Sequence, residues 1–239
     1  MQPIAFVTGA DRGLGFALCE GLLERGWRVF GGQYMPDWTD LAALAERFPE
    51  TLCPVPLDIT SVESTRAAAQ TVAGMVDRVD LLINNAGVIS PTVERAVGDG
   101  LDYAEAHREF DVNALGALRV LEGFLPLTNQ SAMKRLCFVS SEAGSITRCE
   151  RQAWYGYCMS KAALNMAIKI TFNRLRPEGY TFRVYHPGWM RSYMHGSKNM
   201  EADLELEEAA EMALPFFLEE REDEDTLALI DYQGQTWPW

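Results

Sequence analysis

Short runs rich in β-branched and aromatic residues alternate along this chain with longer stretches whose apolar residues recur at helical spacing. The short runs predict strands at Ile4–Thr8, Arg28–Gly31, Leu52–Pro56, Leu81–Asn84, Arg135–Ser140, Thr181–Tyr185 and Leu227–Asp231. The longer stretches predict helices at Leu14–Arg25, Asp40–Arg47, Val62–Asp77, around Tyr103–Leu125, Tyr157–Arg176 and Leu204–Leu214. Regular alternation of the two implies an α/β fold of Rossmann type: a doubly wound, seven-stranded parallel sheet with helices on both faces, three layers in all. No Pro/Gly/Ser linker, repeat or low-complexity block interrupts the pattern, so residues 1–239 read as one domain.

Composition narrows the class. No stretch approaches the run of about 20 uncharged residues that a membrane span needs, and the first apolar run begins almost at Met1, leaving no room for a signal core. A cytoplasmic protein without membrane contact is expected. Five cysteines (Cys19, Cys53, Cys137, Cys149, Cys158) form no C-x-x-C pair, which fits reduced thiols rather than a zinc site or a disulfide frame. His107 and His195 have no carboxylate or cysteine at metal-ligand spacing, so no metal is expected. The net charge of −13 is concentrated: residues 201–225 hold twelve Asp or Glu and a single basic residue, Arg221. That block disfavours nucleic acid and reads as a solvated helical face.

Two local patterns carry chemistry. After the first strand stands Thr8-Gly9-Ala10-Asp11-Arg12-Gly13-Leu14-Gly15, followed by a helix. Glycines 9, 13 and 15 permit a tight turn, close approach of a phosphate to the backbone and close helix–strand packing, with the helix N-terminus facing a pyrophosphate. Farther on, YGYCMSK places Lys161 four residues after Tyr157 and six after Tyr155. On a helix, only the four-residue spacing puts the ammonium on the same face as a phenol. Tyr157 is therefore the candidate proton donor, with Lys161 as the cation expected to favour its phenolate.

Those motifs resemble the short-chain dehydrogenase/reductase family, and the resemblance runs through almost the whole chain. Leu57-Asp58-Ile59 resembles the family's adenine contact. Asn84-Asn85-Ala86-Gly87 resembles its turn that stabilises the sheet and lines the cofactor. Asn113 stands at its helix-embedded asparagine, Ser140-Ser141 ends the fifth strand, and His186-Pro187-Gly188-Trp189-Met190-Arg191-Ser192 follows the sixth. Ser141-Glu142-Ala143-Gly144-Ser145-Ile146, the sixteen residues from Ser141 to Tyr157, and the terminal Asp231-Tyr232-Gln233-Gly234 and Pro238-Trp239 resemble the C-factor-like carbonyl reductase branch. The resemblance implies a nicotinamide-dependent oxidoreductase acting on a carbonyl or secondary alcohol, with Asn113, Ser141, Tyr157 and Lys161 as catalytic residues. It implies cofactor contacts from Gly9, Asp11, Arg12, Gly13, Leu14, Gly15, Gln33, Asp58, Ile59, Asn85, Ala86, Gly87, Tyr157, Lys161, Pro187, Gly188, Met190 and Ser192. His186 reads as structural, and a loop over about 189–204 as the substrate cover.

The second strand ends in Gly31-Gly32-Gln33-Tyr34, without the acidic residue that would hold adenine-ribose hydroxyls. Arg12 favours NADP(H), while the two glycines leave open a loose ribose pocket that also takes NAD(H). Arg148 and Arg151, in the loop before Tyr157, fit either an acidic substrate or a solvated loop. The helix beginning at Tyr157 carries more apolar residues than one face against a sheet requires, predicting a homodimer or homotetramer with Trp237 and Trp239 at a contact. The rival to an enzyme is a non-catalytic dinucleotide-binding regulator that keeps the fold. A methyltransferase would leave the Tyr157–Lys161 pair unexplained.

Overall fold

The computed structural model of the chain describes residues 1–194 and 196–239; His195 lies outside the described residues. Seven strands run parallel: β1 (Ile4–Val7), β2 (Arg28–Gln33), β3 (Leu52–Pro56), β4 (Leu81–Asn84), β5 (Arg135–Val139), β6 (Thr181–His186) and β7 (Leu229–Asp231). An eighth, β8 (Thr236–Trp237), pairs antiparallel with β7 and makes the sheet mixed, in the order β3-β2-β1-β4-β5-β6-β7-β8. Two residues are too few to show a strand's periodicity, and the turn that returns the chain depends on a side chain. The Asp231 carboxylate accepts hydrogen bonds from the Gln233 and Gln235 N–H groups and from Trp237 Nε1 (2.9, 2.8 and 2.8 Å). Trp237 is thereby held in the sheet.

Alternation along β1 sorts the core into two layers. Phe6 faces α3 (Val62–Ala73), α5 (Ala117–Asn129) and α6 (Tyr155–Leu175), packing with Val72, Phe124 and Ile168. Ala5 and Val7 face α1 (Gly13–Glu24), α2 (Asp40–Arg47) and α7 (Leu206–Leu218), packing with Leu22, Leu44 and Leu214. Both faces of the sheet are thus covered, and the strand order reverses between β1 and β4. In a doubly wound sheet a crevice opens beyond the strand C-termini at that switch point.

Three boundaries differ from the expected ones in ways that bear on the site. The long helix expected around Tyr103–Leu125 is divided into α4 (Tyr103–Phe110), a π-helical turn Asp111–Gly116 and α5, and Asn113 lies within the π turn. Helix α6 begins at Tyr155, after Trp154 in the left-handed region (φ 67°), so both tyrosines sit in its first turn. The acidic block 201–225 is helical only over α7, which starts at Leu206, and its carboxylates are not simply solvated. Glu211 pairs with Arg25, Glu205 with Arg191 and Lys198, Asp225 with Arg176, and Glu224 with the buried Arg183. These four carboxylates of the block therefore neutralise cations contributed by the rest of the chain. Among the described residues, no helix is long and apolar enough to cross a membrane.

Candidate active site

A cavity of about 1200 Å³ opens at the C-terminal edge of the sheet, from the glycine loop at one end to Ser141, Tyr157 and Lys161 at the other. Gly9 and Gly13 both take φ of +65°, where a β-carbon is strained. A β-carbon on Gly9 would lie 3.0 Å from Ala86 Cα, and one on Gly15 would collide with the Gly9 carbonyl. Asn85 locks this packing, since its Nδ2 donates to the Thr8 and Gly9 carbonyls (2.9 and 3.3 Å). Thr8 Oγ1 accepts from the N–H groups of Asn85 and Ala86 (both 3.0 Å). The Asn85 side chain thus shapes the loop, and Asn85, Ala86 and Gly87 line the cavity wall.

At the glycine-loop end, Arg12, Gly13, Leu14, Asp58 and Ile59 all line the cavity. Asp11 lines it too, but its carboxylate accepts from the N–H groups of Tyr34 and Met35 (3.1 and 2.9 Å), tying the loop to the end of β2. Neither Gln33 nor Gly15 lines the cavity; Tyr34 and Met35 occupy the wall where Gln33 was expected. Nor do Gly31 and Gly32 leave a loose pocket. Their missing β-carbons would stand 3.1 Å from Ala10 Cβ and 2.7 Å from Leu57 Cδ2, space already filled by packing.

At the other end, Ser141 follows β5, and its Oγ accepts from Ala143 N (3.1 Å) within the turn Glu142–Gly144. Tyr157 is buried among Ile89 and Ala143, whereas Tyr155 is partly exposed. Lys161 Nζ lies 5.7 Å from the centre of the Tyr157 ring and donates to the Val139 carbonyl (3.1 Å). Asn113 clasps the strand β4 exit: its Oδ1 accepts from Val88 N (2.8 Å), and its Nδ2 donates to Val88 O and Ser160 Oγ (2.9 and 3.0 Å). A β-carbon on Gly87 would stand 3.2 Å from Asn113 Oδ1 and 3.6 Å from Lys161 Nζ, so the absence of a side chain there keeps the two polar groups facing shared space. Pro187, Gly188, Met190 and Ser192 line the same cavity, on a loop pinned at its base by the Met190–Leu204 bridge and the Arg191–Glu205 ion pair (2.5 Å).

The expected lowering of the Tyr157 phenol rests on the Lys161 ammonium together with the positive nicotinamide of an oxidised cofactor. Within the protein itself, burial pushes the phenol up to about 12, opposed by the Ser141 side chain. Burial likewise pulls the Lys161 ammonium down to about 8. Loss of hydration is the leading cause for both members of the pair. His186 also lines the cavity; its imidazole is held down by burial, beside Tyr232 and Trp237.

Several contacts around the cavity escaped the pattern of the sequence. The Glu142 carboxylate accepts two hydrogen bonds from Arg151 (2.9 and 2.6 Å), spanning the loop between Ser141 and Tyr157, so Arg151 is engaged within the protein. Pro238 and Trp239 tie down the same loop, accepting from Ser145 Oγ (2.5 Å) and Thr147 Oγ1 (2.8 Å). Tyr193 joins Trp38 beside Arg12. No sequence periodicity links partners so far apart along the chain.

The profile of the short chain dehydrogenase family matches residues 3–203. The chain belongs to the short-chain dehydrogenase/reductase family. It is similar to C-signal of Myxococcus xanthus, with 40% identity over 161 residues covering 67% of this chain and 93% of that protein. Its fold matches a short-chain dehydrogenase/reductase from Burkholderia multivorans with bound NADP (TM-score 0.86, 29% identity) and an NADPH-bound carbonyl reductase from chicken fatty liver (TM-score 0.88, 26% identity), each covering 100% of both chains. This family member thus resembles carbonyl reductases of the C-factor-like branch.

Proposed function

We propose that this family member is an NADP(H)-dependent reductase of carbonyl compounds that also oxidises the corresponding secondary alcohols. The observation that carries the reading is one continuous cavity with the glycine loop and Arg12 at one end and Ser141, Tyr157 and Lys161 at the other. The relatives of matching fold that hold NADP or NADPH support the same choice. The residues present fit such a group. The loop backbone at Gly9 and Gly13 is free of side chains, and Lys161 retains donors beyond the one given to Val139. Among the described residues Arg12 forms no ion pair, whereas the other two arginines that line the cavity, Arg108 and Arg151, do.

When bound, the nicotinamide supplies the hydride. The remaining work falls to the protein. A carbonyl carbon that gains a hydride leaves an alkoxide, and Tyr157, kept protonated at neutral pH by its raised pKa, delivers the proton from its hydroxyl. Ser141 Oγ donates to the carbonyl oxygen and fixes its orientation. Lys161 Nζ would hold the nicotinamide ribose and would supply positive charge to the phenolate left behind, with Asn113 Oδ1 beside it across Gly87. Trp154, Trp189 and Met194 line an apolar mouth suited to the substrate's carbon skeleton, and the 189–204 loop forms its cover.

A homodimer or homotetramer in the reducing cytoplasm completes the reading. Met159, Met166 and Ile170 form an exposed apolar stripe along α6, and Phe110 and Leu115 lie exposed on the neighbouring helical segment. The deciding experiment incubates the purified chain with a panel of aldehydes and ketones, following loss of NADPH and NADH absorbance. Turnover with NADPH preferred supports the proposal. Tight cofactor binding without turnover across the panel would overturn it in favour of a binding regulator.

A further inference from the structure

Granted the NADP(H) reading above, we propose that Trp38 and Tyr193 form an aromatic clamp that holds the Arg12 guanidinium for the 2′-phosphate and thereby sets the cofactor preference. The Arg12 Cζ lies 4.8 Å from the centre of the Trp38 ring and 5.8 Å from that of Tyr193. The two rings stand 5.1 Å apart at 68°, edge to face. Trp38 is itself fixed, since its Nε1 donates to Asp40 Oδ2 (2.7 Å).

Stacking engages the flat faces of a guanidinium, and its five N–H donors lie in the plane. An arginine held by ring faces therefore keeps its donor edge available to a phosphate, whereas one held by a carboxylate does not. Arg151 illustrates the second case, with both Nη groups engaged by Glu142. Long charged side chains lose rotamer freedom when they bind, and a side chain already resting against a pair of packed rings loses less. Trp38 precedes α2 and Tyr193 belongs to the loop that also contributes Met190, Ser192 and Met194 to the cavity. The clamp thus joins the phosphate end of the cavity to the loop over its other end.

The test is calorimetric titration of NADP+, 2′,5′-ADP and 5′-AMP into the intact protein and into Trp38→Leu, Trp38→Phe and Tyr193→Leu. Trp38→Leu and Tyr193→Leu should each weaken 2′,5′-ADP roughly three- to tenfold, with less than about a twofold change for 5′-AMP, which lacks the 2′-phosphate. Trp38→Phe, which keeps a ring face, should restore most of the loss. Equal weakening of 2′,5′-ADP and 5′-AMP would overturn the clamp and make Trp38 a wall for the adenosine. Unchanged discrimination in both leucine variants would overturn it as well, while leaving NADP(H) use intact. If the unmodified protein binds neither 2′,5′-ADP nor NADP+, the cofactor reading itself fails and the clamp falls with it.

Discussion

Tyr157 and Lys161 stand one turn apart on α6, both buried, with the ammonium 5.7 Å from the centre of the phenol ring. Tyr155, two positions earlier, is partly exposed. Tyr157→Phe should therefore reduce carbonyl turnover by roughly three orders of magnitude while changing NADPH affinity only slightly, because it removes the proton donor alone. Tyr155→Phe should act mainly on KM. Steady-state kinetics and cofactor titration of the two variants check this, and a reversed pattern would sink the assignment.

Burial of Lys161 has a cost that pH can reveal. Its folded pKa of about 8 lies below the ordinary lysine value, so the folded state holds fewer protons than the unfolded state between about pH 8 and 10.5. This group's contribution to stability should rise across that window, and below pH 8 its full penalty is present. Lys161→Met should be more stable than the parent at pH 7 by about 1–3 kcal/mol and should lack the rise above pH 8. Urea unfolding at pH 7 and pH 9.5 measures both.

Gly156 lies between the two tyrosines because α4 leaves no space for a side chain. A β-carbon there would clash with the Glu109 carboxylate and stand 2.9 Å from Ala106 Cα. Glu109 is itself tied to the loop after β4 by the Ser90 N–H (2.7 Å). Gly156→Ala should destabilise the protein by roughly 1–3 kcal/mol through overpacking, despite the better helix propensity of alanine. An unchanged or raised melting temperature would refute this packing account.

Glu224 receives the guanidinium of Arg183 (2.6 Å) and lies 3.8 Å from that of Arg135, both arginines being buried under the end of α7. Burial works to raise its pKa, but the Arg183 hydrogen bond and charge outweigh it and hold the carboxyl below its usual range. Removing the carboxylate strands buried positive charge, so Glu224→Ala should cost on the order of 3 kcal/mol. Glu222→Ala, two residues earlier in the same acidic block and outside this ion pair, serves as a near-neutral control in the same denaturation series.

The apolar stripe on α6 predicts self-association. Light scattering of the purified protein should give at least twice 26.7 kDa at micromolar concentration. Met166→Glu combined with Ile170→Glu should shift it toward monomer without loss of helical signal. A parent mass of one chain would remove the dimer proposal.

Much of the architecture was legible in the sequence because its determinants are local and periodic. Strand alternation, helical spacing, glycines at positive φ and the four-residue interval from Tyr157 to Lys161 each depend on residues close together in the chain. What only the tertiary structure decided involves partners brought together by folding. The Asp231 carboxylate turns the chain into β8, the π turn sets Asn113 against Val88, and Glu142 takes up Arg151. The acidic block shows the difference most plainly: Glu211 and Arg25 are 186 residues apart in sequence, yet their side chains meet at 2.7 Å. The degree to which Tyr157 and Lys161 are perturbed likewise belonged to the fold, because desolvation depends on everything packed around a group, which spacing along a helix does not specify.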